Sequence, residues 1–190
     1  MHDTQNHDRL MSAYADMNAG RYEKARQTFN QLADAGEQQA LVYLGWMDEQ
    51  GFGGSANEQQ AELRYKRLAD SGDHVASYYY GALKLRQGSL SEALVAFVGA
   101  AEGGHPSAAY WASALYGGEN GFPRNREKEI FYLKQAASFG HVYARRDLAK
   151  MQVTEAKSLG AKVKSLCVYF FEKMKGVYLI SRNQHDPRVR

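Results

Sequence analysis

The sequence predicts an all-α protein: a solenoid of about four helix-turn-helix repeats followed by C-terminal helices. Three observations predict it. Glycines stand at positions 36, 72, 104 and 140, spaced by 36, 32 and 36 residues, inside the related segments LADAGEQQA, LADSGDHVA, AAEGGHPSA and AASFGHVYA. A second register of small residues, Ala13, Gly45, Gly81 and Ser113, recurs with spacings of 32, 36 and 32. The chain of 190 residues holds 3 prolines against 18 glycines, which suits helices that end at glycine-bearing turns.

Within each repeat the first helix carries the small residue, which lets the second helix approach closely. The second helix carries a large apolar anchor seven residues before its glycine: Phe29, Tyr65, Phe97 and Leu133. Eleven residues before it stand Ala25, Ala61, Ala93 and then Glu129. The glycine takes the left-handed conformation that ends the helix. An alanine four residues later (Ala40, Ala76, Ala108, Ala144) belongs to the helix that follows. The distance from the small residue to the second-helix position runs 12, 16, 12 and 16, so short and long repeats alternate. The extra residues sit in the loops GFGGSANEQ and GENGFPRNRE, where the short repeats have NAGRYEKA and RQGSLSEA. One such hairpin cannot bury its own apolar face, whereas stacked hairpins share a continuous core.

Beyond the repeats, residues 145–159 read as a helix ending at Gly160. From Val163 onward, Leu166, Cys167, Phe170, Phe171, Met174, Val177 and Tyr178 continue one face of a further helix. Lys162, Lys164, Ser165, Glu172, Lys173 and Lys175 fill its other faces. These helices are expected to cap the last layer or to form a free amphipathic element.

Composition narrows the function classes. Apolar residues are 44% and charged residues 24%, a globular balance. A lone cysteine, Cys167, excludes an internal disulfide and a cysteine-based zinc finger, and its apolar surroundings predict a buried structural role. The start MHDTQNHDRL has no apolar run and no segment reaches ~18 apolar residues, so the expected location is the cytoplasm. The net charge of +3 is uneven: residues 151–190 carry 8 basic and 3 acidic groups, residues 1–150 carry 16 and 18. The basic character lies in the tail, and nucleic-acid binding is not expected.

The segments resemble the Sel-one-like repeat family, relatives of the tetratricopeptide repeats. The shared pattern is A-x-x-x-L-G followed by A-x-x-x-Y/F-x-x-A-A-x-x-G-H. It is clearest at Ala40–Gly45, Gly51-Phe52-Gly53 and Tyr65–Gly72, and again from Ala136-Ala137 to His141. The first and third repeats are closer to plain tetratricopeptide spacing. The chain departs from the pattern at Arg9, Asp16, Ser113 and Glu129. The resemblance covers residues 7–150 and implies a right-handed α-solenoid there; beyond it, the residues themselves read as a C-terminal helical cap or amphipathic helix over 151–181 and a flexible tail over 182–190. The family's secreted branch carries paired cysteines in each repeat. They are absent here, so that branch and its activity are not implied.

No motif points to catalysis. His105 and His141 follow helix-ending glycines, so turn packing or capping explains them. There is no HExxH or His-x-His pair, and neither metal nor cofactor is expected. The glycine-rich stretches 51–54 and 117–121 lack the order of a phosphate-binding loop and fall in the long-loop positions. An enzyme with a site scattered along the chain has no motif behind it.

The expected function is therefore a non-catalytic scaffold that binds a partner peptide or domain through a concave groove lined by the first helices. Counting from the small positions selects Tyr14, Val42, Trp46, Glu49, Tyr78 and Tyr110, with Arg86 as a polar neighbour. Rigid aromatics of this kind anchor partners, and packing between helices is the alternative use for them. A second expectation is a peripheral membrane-surface adaptor, cytoplasmic and attached at the inner face. Its helix 161–180 would contact an anionic membrane or a partner's groove through Lys164, Phe170, Phe171, Lys173 and Met174. Cell-envelope or surface-polysaccharide machinery is the setting the family resemblance supplies for that reading.

Overall fold

A computed structural model describes residues 2–156 and 158–182, with side chains from 5 to 175 apart from 155 and 157. The described residues form helices and turns without a strand. The helices are α1 (His2–Asn18), α2 (Tyr22–Asp34), α3 (Gln38–Gln50), α4 (Glu58–Asp70) and α5 (His74–Arg86). There follow α6 (Leu90–Glu102), α7 (Pro106–Tyr116), a 3-10 turn (Glu119–Gly121), α8 (Arg126–Ser138), α9 (Val142–Glu155) and α10 (Leu159–Arg182). This is the helix-turn-helix repeat solenoid class that the spacing predicts. The chain divides into two compact units, residues 1–83 and 84–190, and the division falls inside α5.

The helix stops follow one chemistry. Gly36, Gly72, Gly104 and Gly140 take φ of 89°, 93°, 87° and 90°. The next residue in each case donates its backbone N–H to a carbonyl five residues back: Glu37 to Leu32, Asp73 to Leu68, His105 to Ala100 and His141 to Ala136, at 2.9 to 3.0 Å. These bonds satisfy carbonyls that the helix end would otherwise leave open.

In the first unit, Leu10, Ala13 and Met17 of α1 pack with Ala25, Phe29 and Leu32 of α2 and Ala40, Leu44 and Met47 of α3. A second cluster joins Val42 to Ala61, Tyr65 and Leu68 of α4 and to Ala76 and Leu83 of α5. Ala25, Phe29 and Leu32 sit at i, i+4 and i+7, and Ala61, Tyr65 and Leu68 repeat that spacing. Each buried large apolar side chain contributes roughly 1.5–3 kcal/mol. The small register works by steric allowance, since a Cβ on Gly45 would lie 2.6 Å from Cε1 of the fully buried Tyr65. In the second unit, Ala93, Phe97, Ala100 and Ala101 of α6, Ala108, Ala112 and Leu115 of α7, and Leu133 and Ala136 of α8 are buried.

The C-terminal helices differ from the sequence expectation. The helix expected at 145–159 is α9, which ends at Glu155, and Gly160 lies in the first turn of α10. Ala156 is extended, at φ −66° and ψ 121°, and the Ser158 hydroxyl accepts from the Ala161 N–H at 3.2 Å to start the new helix. The expected boundary at residue 150 falls within α9. Of the expected tail 182–190, residues from 183 onward lie outside the described residues.

Candidate interaction surfaces

Buried charges fix the long loop of the first unit. Asp48 of α3, only 5% exposed, accepts from Arg26 of α2 at 2.6 Å and from Arg64 of α4 at 2.9 Å. Arg26 also donates to the Phe52 carbonyl through Nε at 3.0 Å and Nη2 at 2.9 Å. The GFGG segment is thus held on α2, where Phe52 stacks on Tyr22 at 4.2 Å. Gly53, at φ 67°, has room for no side chain: its Cβ would meet the Tyr22 carbonyl oxygen at 2.8 Å. Turn geometry and close approach account for these glycines. Sequence reading missed Asp48 because its partners lie 22 and 16 residues away.

The two histidines act as helix caps. His105 Nδ1 accepts from the Ala108 N–H, and His141 Nδ1 from the Ala144 N–H, each at 3.2 Å. Asp73 does the same for Ala76 at 2.8 Å. Among the described residues no group of three or more His, Cys, Asp or Glu side chains could hold a metal ion.

The aromatic side chains split between core and surface. Each of the three aromatic anchors stacks on an aromatic 14 residues later: Phe29 on Tyr43 (4.9 Å), Tyr65 on Tyr79 (5.4 Å) and Phe97 on Trp111 (6.2 Å). This constant spacing is itself a feature of the repeat sequence. The residues expected in the groove take varied positions. Val42 is 5% exposed and belongs to the core, so it offers no side chain to a partner. Tyr14 and Trp46 are half-buried, against Tyr43 at 5.6 Å and Phe52 at 5.0 Å. Glu49, also half-buried, accepts from Gln50 at 3.0 Å and from the Tyr65 hydroxyl at 3.4 Å. Tyr78 is half-buried edge-on to Tyr79, and Arg86 is exposed in the last turn of α5.

Tyr110 lines a cleft of about 530 Å³ in the second unit. Its walls are Tyr110 and Ala114 of α7, Glu129 of α8, and Arg146, Asp147 and Lys150 of α9. The Tyr110 ring stacks on the buried His141 at 4.4 Å, and its hydroxyl donates to Asp147 at 2.9 Å. Burial, reinforced by the Asp147 carboxylate, holds the Tyr110 hydroxyl well above the usual phenol range, so it remains a donor. Arg146 pairs with Asp147 at 2.7 Å and lies over the Tyr143 ring at 4.9 Å. Lys150 lines the same cleft without an ion pair among the described residues. The cleft offers donors, acceptors and both signs of charge, the equipment of a recognition surface.

The helix α10 packs on α9 with an unexpected face. Glu172 is buried, and Ser165, Tyr169 and Lys175 are half-buried. The apolar face is turned outward: Val163 is 54% exposed, Leu166 44%, Phe170 55%, Phe171 68% and Met174 67%. Cys167 is exposed, which corrects the expectation that it is buried. Its position follows from the helix register, because contact through Ser165, Tyr169 and Glu172 points residue 167 away from α9. Lys164 and Lys173 are exposed. The side chains of Val177 and Tyr178 lie outside the described ones. Among the described residues no helix is long and apolar enough to cross a membrane.

No family model matches the sequence, and no curated protein matches it. Solved structures do match. One is a protective antigen present in uropathogenic Escherichia coli strains and displaying an SLR fold, with TM-score 0.68 and 23% identity over 82% of this chain. This chain spans 34% of that antigen's length. Another is a Sel1 repeat protein from Oxalobacter formigenes, with TM-score 0.71 and 21% identity, covering 89% of this chain and 69% of that one. The chain has the fold of Sel1-repeat proteins.

Proposed function

We propose that this chain is a non-catalytic scaffold whose first helices bind a partner peptide or protein domain. The observation that carries the reading is the cleft along Tyr110, Ala114 and Lys150, a recess of about 530 Å³ with charged walls and a tyrosine hydroxyl held in place by Asp147. The half-buried rings of Tyr14, Trp46 and Tyr78 support it in the first unit, and the exposed Arg86 supports it in the second. Partly exposed aromatics on rigid helices lose little entropy on binding and commonly dominate interface energies. Glu49 supplies a carboxylate beside Trp46.

The test begins with the protein that co-purifies from the source cell. Trp46→Ala, Tyr78→Ala and Ala114→Arg are each expected to weaken its binding by ~1–3 kcal/mol with the helical circular dichroism unchanged. Unaltered affinity in all three removes the groove reading. A cytoplasmic adaptor role accompanies it.

A second reading is favoured by one observation, the outward apolar face of α10. It is a peripheral membrane-surface adaptor attached through residues 161–180 at the inner face, with Lys164, Phe170, Phe171, Lys173 and Met174 in contact. Flotation of the full chain with vesicles, compared with a chain ending at residue 160, tests attachment.

A further inference from the structure

From the arrangement of charge around α10 we infer that its outward face docks on an anionic lipid bilayer, lying flat with Phe170, Phe171 and Met174 in the acyl boundary. The inference rests on the second reading above and names the lipid chemistry. At ~100° per residue, Val163, Leu166, Phe170 and Met174 form one continuous stripe. It lies opposite the contact face of Ser165, Tyr169 and Glu172. Lys162 and Lys173 fall along one edge of that stripe, and Lys164 and Lys175 along the other.

The sign of charge on this face is uniform. Between residues 158 and 175 the lone acid is Glu172. Glu172 is 8% exposed, turned away from the stripe, with a buried Oε2 that has no hydrogen-bond partner. Every exposed charge in this span is therefore a lysine. Lysines flanking an apolar stripe reach phosphate headgroups while the stripe enters the hydrocarbon boundary. A second copy of this chain fits poorly, because facing two such helices sets lysine edge against lysine edge. The surface is complementary to negative charge spread in a plane, and a bilayer with anionic headgroups supplies it.

The experiment is flotation of the full chain with vesicles of phosphatidylcholine alone and of phosphatidylcholine mixed with phosphatidylglycerol. Partitioning to the mixed vesicles is expected to be about tenfold stronger or more at low salt, and to fall as salt rises. Lys164→Glu with Lys173→Glu is expected to abolish that preference. Phe170→Ser with Phe171→Ser is expected to abolish binding, and both rings point outward, so the fold does not depend on them. Equal binding to both vesicle types overturns the anionic inference and leaves membrane attachment standing. Binding to neither overturns both. A concentration-dependent dimer, or a co-purifying protein, lost in the double serine variant of a chain that ignores both vesicles assigns the face to that occupant and overturns the proposal.

Discussion

Ser113 donates its hydroxyl hydrogen to the main-chain carbonyl of Glu129 at 2.9 Å, joining the two positions at which the fourth repeat departs from its pattern. The other repeats pair a glycine or alanine with an alanine there. Here a buried hydroxyl, 4% exposed, finds its acceptor across the helix pair. The Glu129 side chain meets Arg126 at 2.8 Å. Ser113→Ala is expected to lower stability by about 1 kcal/mol, the net value of one such bond. Urea unfolding measures it, and a rise in midpoint would contradict the role assigned to the hydroxyl.

Gly45→Ala is expected to destabilise by about 1–3 kcal/mol, although alanine favours a helix over glycine by about 1 kcal/mol. The added methyl meets the Tyr65 ring at 2.6 Å, and that ring is fully enclosed. Adding Tyr65→Leu to the same chain should recover part of the loss. A higher melting temperature for Gly45→Ala alone would show that the two helices can separate freely.

Asp48→Ala leaves two guanidinium groups facing each other, those of Arg26 and Arg64, which are 20% and 25% exposed. A loss of about 3 kcal/mol is expected. Because Arg26 also holds the Phe52 carbonyl, amide hydrogen exchange should speed up across residues 51–57. Unchanged exchange there would separate the loop from the charge cluster.

Asp16 gives the chain an acid-sensitive contact. Hydrogen bonds from Arg21 and then Lys24, at 2.7 and 3.1 Å, hold its carboxyl below the usual carboxylate range. A group whose folded pKa is depressed stabilises the fold above its unfolded value, near 3.9, and that stability disappears as pH falls through the lower folded value. Thermal melts from neutral pH down to acid should therefore show a steeper decline for the parent chain than for Asp16→Asn. Parallel curves would remove Asp16 from the acid response.

The helix ends were legible in the sequence because a residue at φ near 90° must be glycine almost regardless of its surroundings, as at Gly36 and Gly140. The anchors Phe29, Tyr65 and Phe97 were legible for a related reason: stacking identical hairpins demands the same bulk at the same place. Asp48 was not, because an ion pair depends on which helices become neighbours, and residue spacing alone does not encode that. Periodicity revealed that α10 has an apolar face; it carries no record of the side from which α9 approaches. Local backbone chemistry and repeat length lie in the sequence itself, whereas the direction in which α10 turns its apolar face, and the recess around Tyr110, were decided by packing between residues far apart in the chain.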